Sequence, residues 1–493
     1  MPDRRVGRQT ALLQLIGFVQ RWPLWLLALL SLVGYVIICF WFPLRPYFNR
    51  VPLPSICRLA PSVEAGLGYA AWFCVLFGLY WLAYQRARQN NASYTLASIL
   101  LAATLFSVPL LFTFPFNATD LYRYFVRGRI SVVYQESPLS TPPTAFPADP
   151  YLPLAGDWVG ETSPYGPLWE LMAAAVTLFS SENLQLGLLM FKGLAALSHL
   201  AISGLLWLML DDAEPASRAG RVLLWAWNPA LLLTFANGGH NDGWMLFWLL
   251  MGFWLMRRGR WEAGQIFMVL APLTKPVGLL PLPFFFLSVW REMPNGRSRV
   301  RFLLVSATGS LAMAWLAFSP FGSPLHLAQR LLSEASLAGG FSPTALFIMA
   351  ARRCGFGVPG KTVIQAAAVL FGLLALWLLW RTWHGRSPVR SAADVFAAYL
   401  VQAFKFRIWY PTWLLPWLLL DLKGGTRRLA AGLWLLLTAQ LSVVIYGHFW
   451  AYLLDQDHLS SHLIGVSFVF ALPLVMAALW PVQPRRGTPG SFV

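Results

Sequence analysis

The chain has 493 residues, of which 57% are hydrophobic and 15% aromatic, with 25 Trp and 35 Phe. Charged residues make up 12%, about half the roughly 25% usual in a soluble domain, and the mean hydropathy is +0.57. A bilayer can take up that much apolar surface and a soluble core cannot, so a disordered chain, a secreted disulfide scaffold and an ordinary cytosolic enzyme are excluded.

Apolar runs fall near 23–42, 66–84, 94–114, 184–209, 221–236, 243–256, 263–290, 302–320, 362–383, 393–420, 429–446 and 463–480. A spanning helix needs roughly 17–25 apolar residues, so the shorter runs are expected to pack inside a bundle or to be pieces of broken helices. The runs 263–290 and 393–420 are long enough for bent pairs, with Pro272 and Pro276 in the first and Pro411 in the second. The expectation is one domain over 1–493, an all-α polytopic transmembrane helical bundle of about 12–14 segments. The first apolar run is too long for a signal-peptide core and no small-residue cleavage site follows it, so it is expected to stay as a membrane segment.

Arginine clusters at 4–8, 86–88, 257–260, 291–301, 386–390, 427–428 and 485–486 all fall in alternate loops of this arrangement. By the positive-inside rule they mark the cytoplasmic side of the plasma membrane, with both termini there. The net charge of +17 is therefore a topology signal and no nucleic-acid partner is expected. Cys57 and Cys354 fall in outer loops, where a disulfide between them is open. No GxxxxGK[ST] motif occurs, so no ATP-driven motor is visible.

The longest non-membrane stretch, 115–183, is read as an outer, extracytoplasmic loop. If Asn117 or Thr119 caps a helix there, Asp120, Arg123, Tyr124 and Arg127 share one face. Opposite charges beside it keep such a carboxylate ionised; a surface salt-bridge ladder is the plainer reading. The loop runs on through many prolines, past Asp149, Asp157 and Glu161, to Ser163-Pro-Tyr165-Gly-Pro-Leu-Trp169, after which 167–181 reads as a short apolar helix at the outer interface. Gly239-His240-Asn241-Asp242-Gly243 lies between two apolar segments, where ionisable groups mark function by default; a polar turn is the alternative. Thr274-Lys275-Pro276 sits at the apex of the first broken pair, where freed backbone lines a cavity and a lysine suits a phosphate; snorkelling to headgroups is the alternative. Lys405-Phe-Arg407-Ile-Trp409-Tyr410-Pro411 sits at the apex of the second, and its two cations interleaved with aromatics suit a lipid phosphate whose sugar lies on a ring. Lys192 and His199 share a helix face, read only as polar lining.

A lone carboxylate facing several cations at a lipid interface suits single-displacement transfer, with the acid as base and the cations on a departing phosphate. Arg123, Arg127, Lys275, Lys405 and Arg407 form the pool of phosphate contacts. Tyr165, Trp169, Trp409 and Tyr410 are candidates for subsites of the sugar and its lipid. No ligand spacing demands a metal or other cofactor, although a divalent ion between Asp120, His240 and Asp242 is open. A secondary transporter or flippase would also place broken helices around buried charge, but it predicts an inverted repeat and a site near the midplane, and neither is visible.

Asp120-Leu-Tyr-Arg-Tyr, Ser163-Pro-Tyr-Gly-Pro-Leu-Trp, Gly239-His-Asn-Asp, Thr274-Lys-Pro and Trp409-Tyr-Pro, in this order over about 115–420, resemble GT-C-type integral-membrane glycosyltransferases. The chain is most similar to polyprenyl-phosphate-mannose-dependent mannosyltransferases of the actinobacterial α-(1→6) type and family 87. The resemblance implies an inverting transferase of the outer leaflet that moves a hexose, mannose foremost, from a polyprenyl phosphate to a glycolipid or glycan, amid membrane lipid. It places the catalytic acid at Asp120, His240 and Asp242 beside it, and Lys275 on the donor phosphate. Many members carry that acid after the first membrane helix, whereas here it follows the third apolar run. Asp149, Asp157 and Glu161 therefore stand as alternatives for the base.

Overall fold

The computed structural model describes residues 22–89, 94–335, 340–357, 359–403, 405–422 and 426–480. The expected positions of the two termini, with the clusters at 4–8 and 485–486, lie outside the described residues. Within them every regular element is a helix, apart from one isolated bridge between Pro43 and Thr113. Among the described residues seven helices are long and apolar enough to cross a membrane: Leu24–Trp41 (α1), Val63–Gln89 (α2), Leu184–Met209 (α6), Gly296–Phe318 (α11), Gly360–Trp383 (α14), Thr426–Tyr452 and His458–Ala478. The last two begin as α17 (Thr426–Val444) and α18 (His458–Val466) and run on through π-helical turns.

The remaining apolar segments are shorter pieces. They comprise α3 (Leu96–Leu111), α7 (Pro215–Ala226), α8 (Asp242–Arg257), α9 (Trp261–Thr274), α10 (Leu282–Glu292), α15 (Pro388–Gln402) and α16 (Leu415–Leu420). Both expected bent pairs are present. After α9 the chain turns extended at Lys275 (φ −146°, ψ 119°), as the proline that follows dictates, and one short 3-10 turn leads into α10. After α15 the chain crosses Lys405–Trp409 and a 3-10 turn, Tyr410–Trp413, before α16. A π-helical stretch, Leu233–Asn237, precedes the His240 turn. The described residues also include α4 (Asp120–Val132) and α5 (Pro167–Ser180) in the loop 115–183, then α12 (Pro324–Ala335) and α13 (Pro343–Arg353), besides the single turns Ile56–Leu59 and Pro229–Leu232.

Helix starts follow local chemistry. Thr95, Asn183, Asn295 and Asp457 accept from backbone N–H groups of the first turn of α3, α6, α11 and α18, and proline opens α5, α7, α13 and α15. Helix α4 differs from its expected start. Thr119 is the N-cap residue but its side chain makes no capping bond, and Asn117 instead donates to Gln440 of α17 at 3.2 Å.

Charge separates the two ends of the bundle. Asp120, Lys275 and Arg407 gather at one end. At the other, Arg257 bonds Met209 O and Asp212, Arg291 bonds Thr382 O, Arg390 bonds Asp421, and Arg386 and Arg428 share Asp394. Lys192 and His199 do not line a site. Lys192 is fully buried and donates to the carbonyls of Leu110, Leu111 and Thr113, closing the frayed end of α3, and His199 bonds Ala226 O. All four cysteines, Cys57 and Cys354 included, are free.

Candidate active site

A cavity of about 780 Å³ opens where α4, the loop after it and the two broken-pair apices meet. Five basic side chains line it (Arg123, Arg127, Lys275, Lys405 and Arg407) against three acids (Asp120, Asp157 and Glu161). Tyr165, Trp409 and Tyr410 are also in the wall. This size is ordinary for a site that encloses a polar ligand.

Asp120 opens α4 and is buried, so the expected surface ladder is an interior contact instead. Its Oδ1 accepts from Arg123 at 2.7 Å and its Oδ2 lies 3.6 Å from His240 Nδ1. Burial alone would push this carboxyl up. Arg123, His240, Arg407 and Lys275 outweigh that and hold it below the usual carboxylate range. Arg127, one turn further on, donates to Thr162 O and lies 5.7 Å from the Tyr165 ring.

The His240-Asn241-Asp242 turn stands behind the cavity wall and does not line it. Gly239 adopts φ +62°, and a Cβ there would meet Leu121 at 2.5 Å, so glycine lets this turn press against α4. His240 stacks on Trp409 with ring centroids 3.9 Å apart, and burial drives its pKa down to about 4 against the pull of Asp120 and Asp242. It is thus neutral in the physiological range. Asp242, with no exposed surface, accepts from Lys275 Nζ at 2.8 Å and from Trp413 Nε1. Asn241 is buried and neither side-chain amide atom has a hydrogen-bond partner. Of the three residues expected to touch substrate, two therefore hold groups that line the cavity: His240 meets Asp120 and Trp409, and Asp242 holds Lys275.

Lys275 Nζ is caged by Tyr410, Trp413 and Tyr165, 5.4, 5.5 and 5.8 Å from their ring centroids. Gly166 brings the loop onto this apex: its N–H bonds Thr274 O at 3.1 Å, and a Cβ would fall 2.1 Å from Leu273 O. Trp169 departs from its expected subsite. It is fully buried at the first turn of α5 and meets Tyr124 edge-on at 4.9 Å, one layer behind the cavity. Asp149 also leaves the set of candidate bases, because Arg129 and Tyr134 hold it away from the cavity at 2.9 Å each.

Sequence reasoning missed Trp158, whose ring has Arg123, Lys405 and Arg330 at 5.0, 5.3 and 6.0 Å. It also missed Trp413 and Leu331, which place the 3-10 turn before α16 and the helix α12 in the wall. A lone Trp in a proline-rich loop carries no spacing signal. Among the described residues no three of His, Cys, Asp and Glu gather as a metal site.

Fold and site together define a polytopic α-helical membrane protein with a cation-rich, carboxylate-bearing cavity at one end of its bundle. The chain belongs to the α-(1→6)-mannopyranosyltransferase family, whose N-terminal-domain model matches residues 26–292. That match takes in Asp120, Tyr165, His240, Asp242 and Lys275 and stops before the second broken pair. α-(1→6)-Mannopyranosyltransferase A of Corynebacterium glutamicum is 28% identical over 198 residues, 39% of each chain. α-(1→6)-Mannopyranosyltransferase B of the same organism is 20% identical over 409 residues, 74% of this chain and 65% of the relative. The A enzyme of Mycobacterium tuberculosis is 29% identical over 197 residues, 39% of this chain and 36% of the relative. The chain thus spans between 36% and 65% of the length of these curated relatives.

Proposed function

We propose that this chain is an inverting glycosyltransferase that moves mannose from a polyprenyl phosphate to a hydroxyl of a glycolipid or glycan at the outer face of the plasma membrane. The observation that carries the reading is the buried, ionised Asp120 carboxylate at a cavity edged by Arg123, Lys275 and Arg407. Family membership and the names of the relatives support the mannosyl group. The gathering of arginines at the opposite end of the bundle supports a cavity facing outward and termini facing the cytoplasm.

In this reading Asp120 takes the acceptor hydroxyl's proton while the hydroxyl oxygen attacks the anomeric carbon in line. The bond from that carbon to the phosphate oxygen breaks, its electron pair leaves with the polyprenyl phosphate, and the configuration inverts. Arg123 anchors Oδ1, so Oδ2 is the oxygen that receives the proton. Lys275, Lys405 and Arg407 stabilise charge growing on the leaving phosphate, and Arg127 adds to the same field from the α4 wall. Tyr165, Trp409 and Tyr410 offer ring faces to the sugar.

The test is label transfer by the purified chain in lipid, from labelled polyprenyl-phosphate mannose to a membrane-lipid acceptor extract. Asp120→Asn is expected to keep its fold and donor binding and to lose transfer by about 10²–10⁴-fold. Unchanged transfer in that variant, with Asp157→Asn or Glu161→Gln inactive, moves the base. Movement of substrate between leaflets, with no transfer from any polyprenyl-phosphate sugar, replaces the transferase by a transporter.

A further inference from the structure

At the basic end of the bundle a second, smaller pocket of about 100 Å³ lies between α2, α7, the end of α16 and the start of α17. We propose that it binds a phosphate oxyanion, presented in the membrane by the headgroup of an anionic phospholipid. Three arginines from three helices face it: Arg88, Arg221 and Arg428. The hydroxyl-bearing Tyr84, Ser217 and Thr426 line it as well, and Leu418 and Leu429 supply apolar wall.

The guanidiniums are held in place before any ligand arrives. Arg88 lies over the Tyr84 ring at 5.5 Å with Nη1 3.4 Å from the tyrosine oxygen. Arg221 reaches the carbonyl of Leu419. Arg428 and Arg386 share the one carboxylate of Asp394. The carboxylate inside the pocket, Asp421, is taken by Arg390 through both oxygens, at 3.1 and 2.9 Å. The lining thus carries three arginines and one acid, and that acid is already engaged by Arg390, around a space that fits one phosphate group. Fixed guanidiniums with neighbouring hydroxyl donors match the oxygens of a phosphate, and basic pockets between transmembrane helices at this membrane side suit lipid headgroups.

The experiment uses the delipidated full chain and three probes: dioctanoyl-phosphatidylglycerol, dioctanoyl-phosphatidylcholine and inorganic phosphate. Retention is read by native mass spectrometry, and protection by the thermal unfolding midpoint. Phosphatidylglycerol is expected to stay bound and raise the midpoint where phosphatidylcholine does neither. Arg88→Gln and Arg428→Gln should each weaken its retention about tenfold, as loss of one charge-assisted bond implies, with mannosyl transfer in phosphatidylcholine unchanged. Arg301→Gln removes an exposed charge outside the pocket and should change nothing. Inorganic phosphate protecting as well as the lipid confirms the site and assigns it to a soluble anion; the lipid alone protecting assigns it to the membrane. Equal retention of both lipids with phosphate inert overturns the proposal, as does an Arg301→Gln effect equal to the pocket variants. Unaltered phosphatidylglycerol retention in Arg88→Gln and Arg428→Gln overturns it as well.

Discussion

Asp120 keeps its charge across the neutral range because Arg123, Arg407 and Lys275 outweigh the effect of its burial, His240 adding to them only where it is protonated. A lowered carboxyl pKa means the base form is present above it and is lost only as pH falls through it. The acid limb of the transfer rate is therefore expected below about pH 4, the ordinary carboxylate value. His240, at about 4, adds no titration near neutrality. Initial rates from pH 4.5 to 7.5 check this, and a rate that halves near pH 6 would assign the base to another group. Asp242 acts at one remove. Asp242→Asn keeps an acceptor for Trp413 but leaves Lys275 without its counter-charge in a nearly closed cage. Severing a buried pair costs about 3–5 kcal/mol, so a lowered thermal midpoint in detergent, with weaker donor binding, is expected. A variant as stable and active as the native chain would deny Asp242 its positioning role.

At the scale of elements, the site depends on breaks in helices more than on helices. The dipeptides Lys275-Pro276 and Tyr410-Pro411 were legible as break points, because proline constrains the residue before it whatever the tertiary context. The shared face of Asp120, Arg123 and Arg127 was legible from helical spacing. Spacing does not say how deep a face is buried, which is why Trp169 and the His240 turn were expected one layer too near the ligand. Trp158 and the role of Gly166 were not legible, since both depend on where a proline-rich loop meets a helix far away in the chain. Gly166→Ala would drive a methyl group into the carbonyl of Leu273 and push Tyr165 away from Lys275. A misplacement of about 1 Å can cost roughly 10²-fold in rate, and a fall of that order in kcat, with the protein still folded, is the expected result. Native-like kinetics in Gly166→Ala would mean that the loop does not set the position of the lysine.

For the whole molecule, the separation of charge predicts orientation. In a cysteine-free background, Glu182→Cys is expected to react with a membrane-impermeant thiol reagent in intact cells, and Arg427→Cys only after permeabilisation. The reverse pattern would invert the membrane assignment. Transfer is also expected to survive EDTA, because five basic side chains line the cavity and under the proposed function supply the countercharge to the donor; loss of activity restored by a divalent ion would put a metal in that role. The Asp242 carboxylate has a further consequence, in the time during which the protein is made. Its first partner, Lys275, lies 33 residues downstream and its second, Trp413, lies 171 residues downstream. At translation speeds of about 5–20 residues per second, the lysine emerges within a few seconds and the indole roughly 10–30 s after the aspartate. The nascent chain must therefore hold a half-built charge pair until the second broken pair is inserted. A ribosome that stalled between the two would leave an intermediate with the cavity wall incomplete and open to lipid, and such a species is the one a membrane quality-control protease would meet.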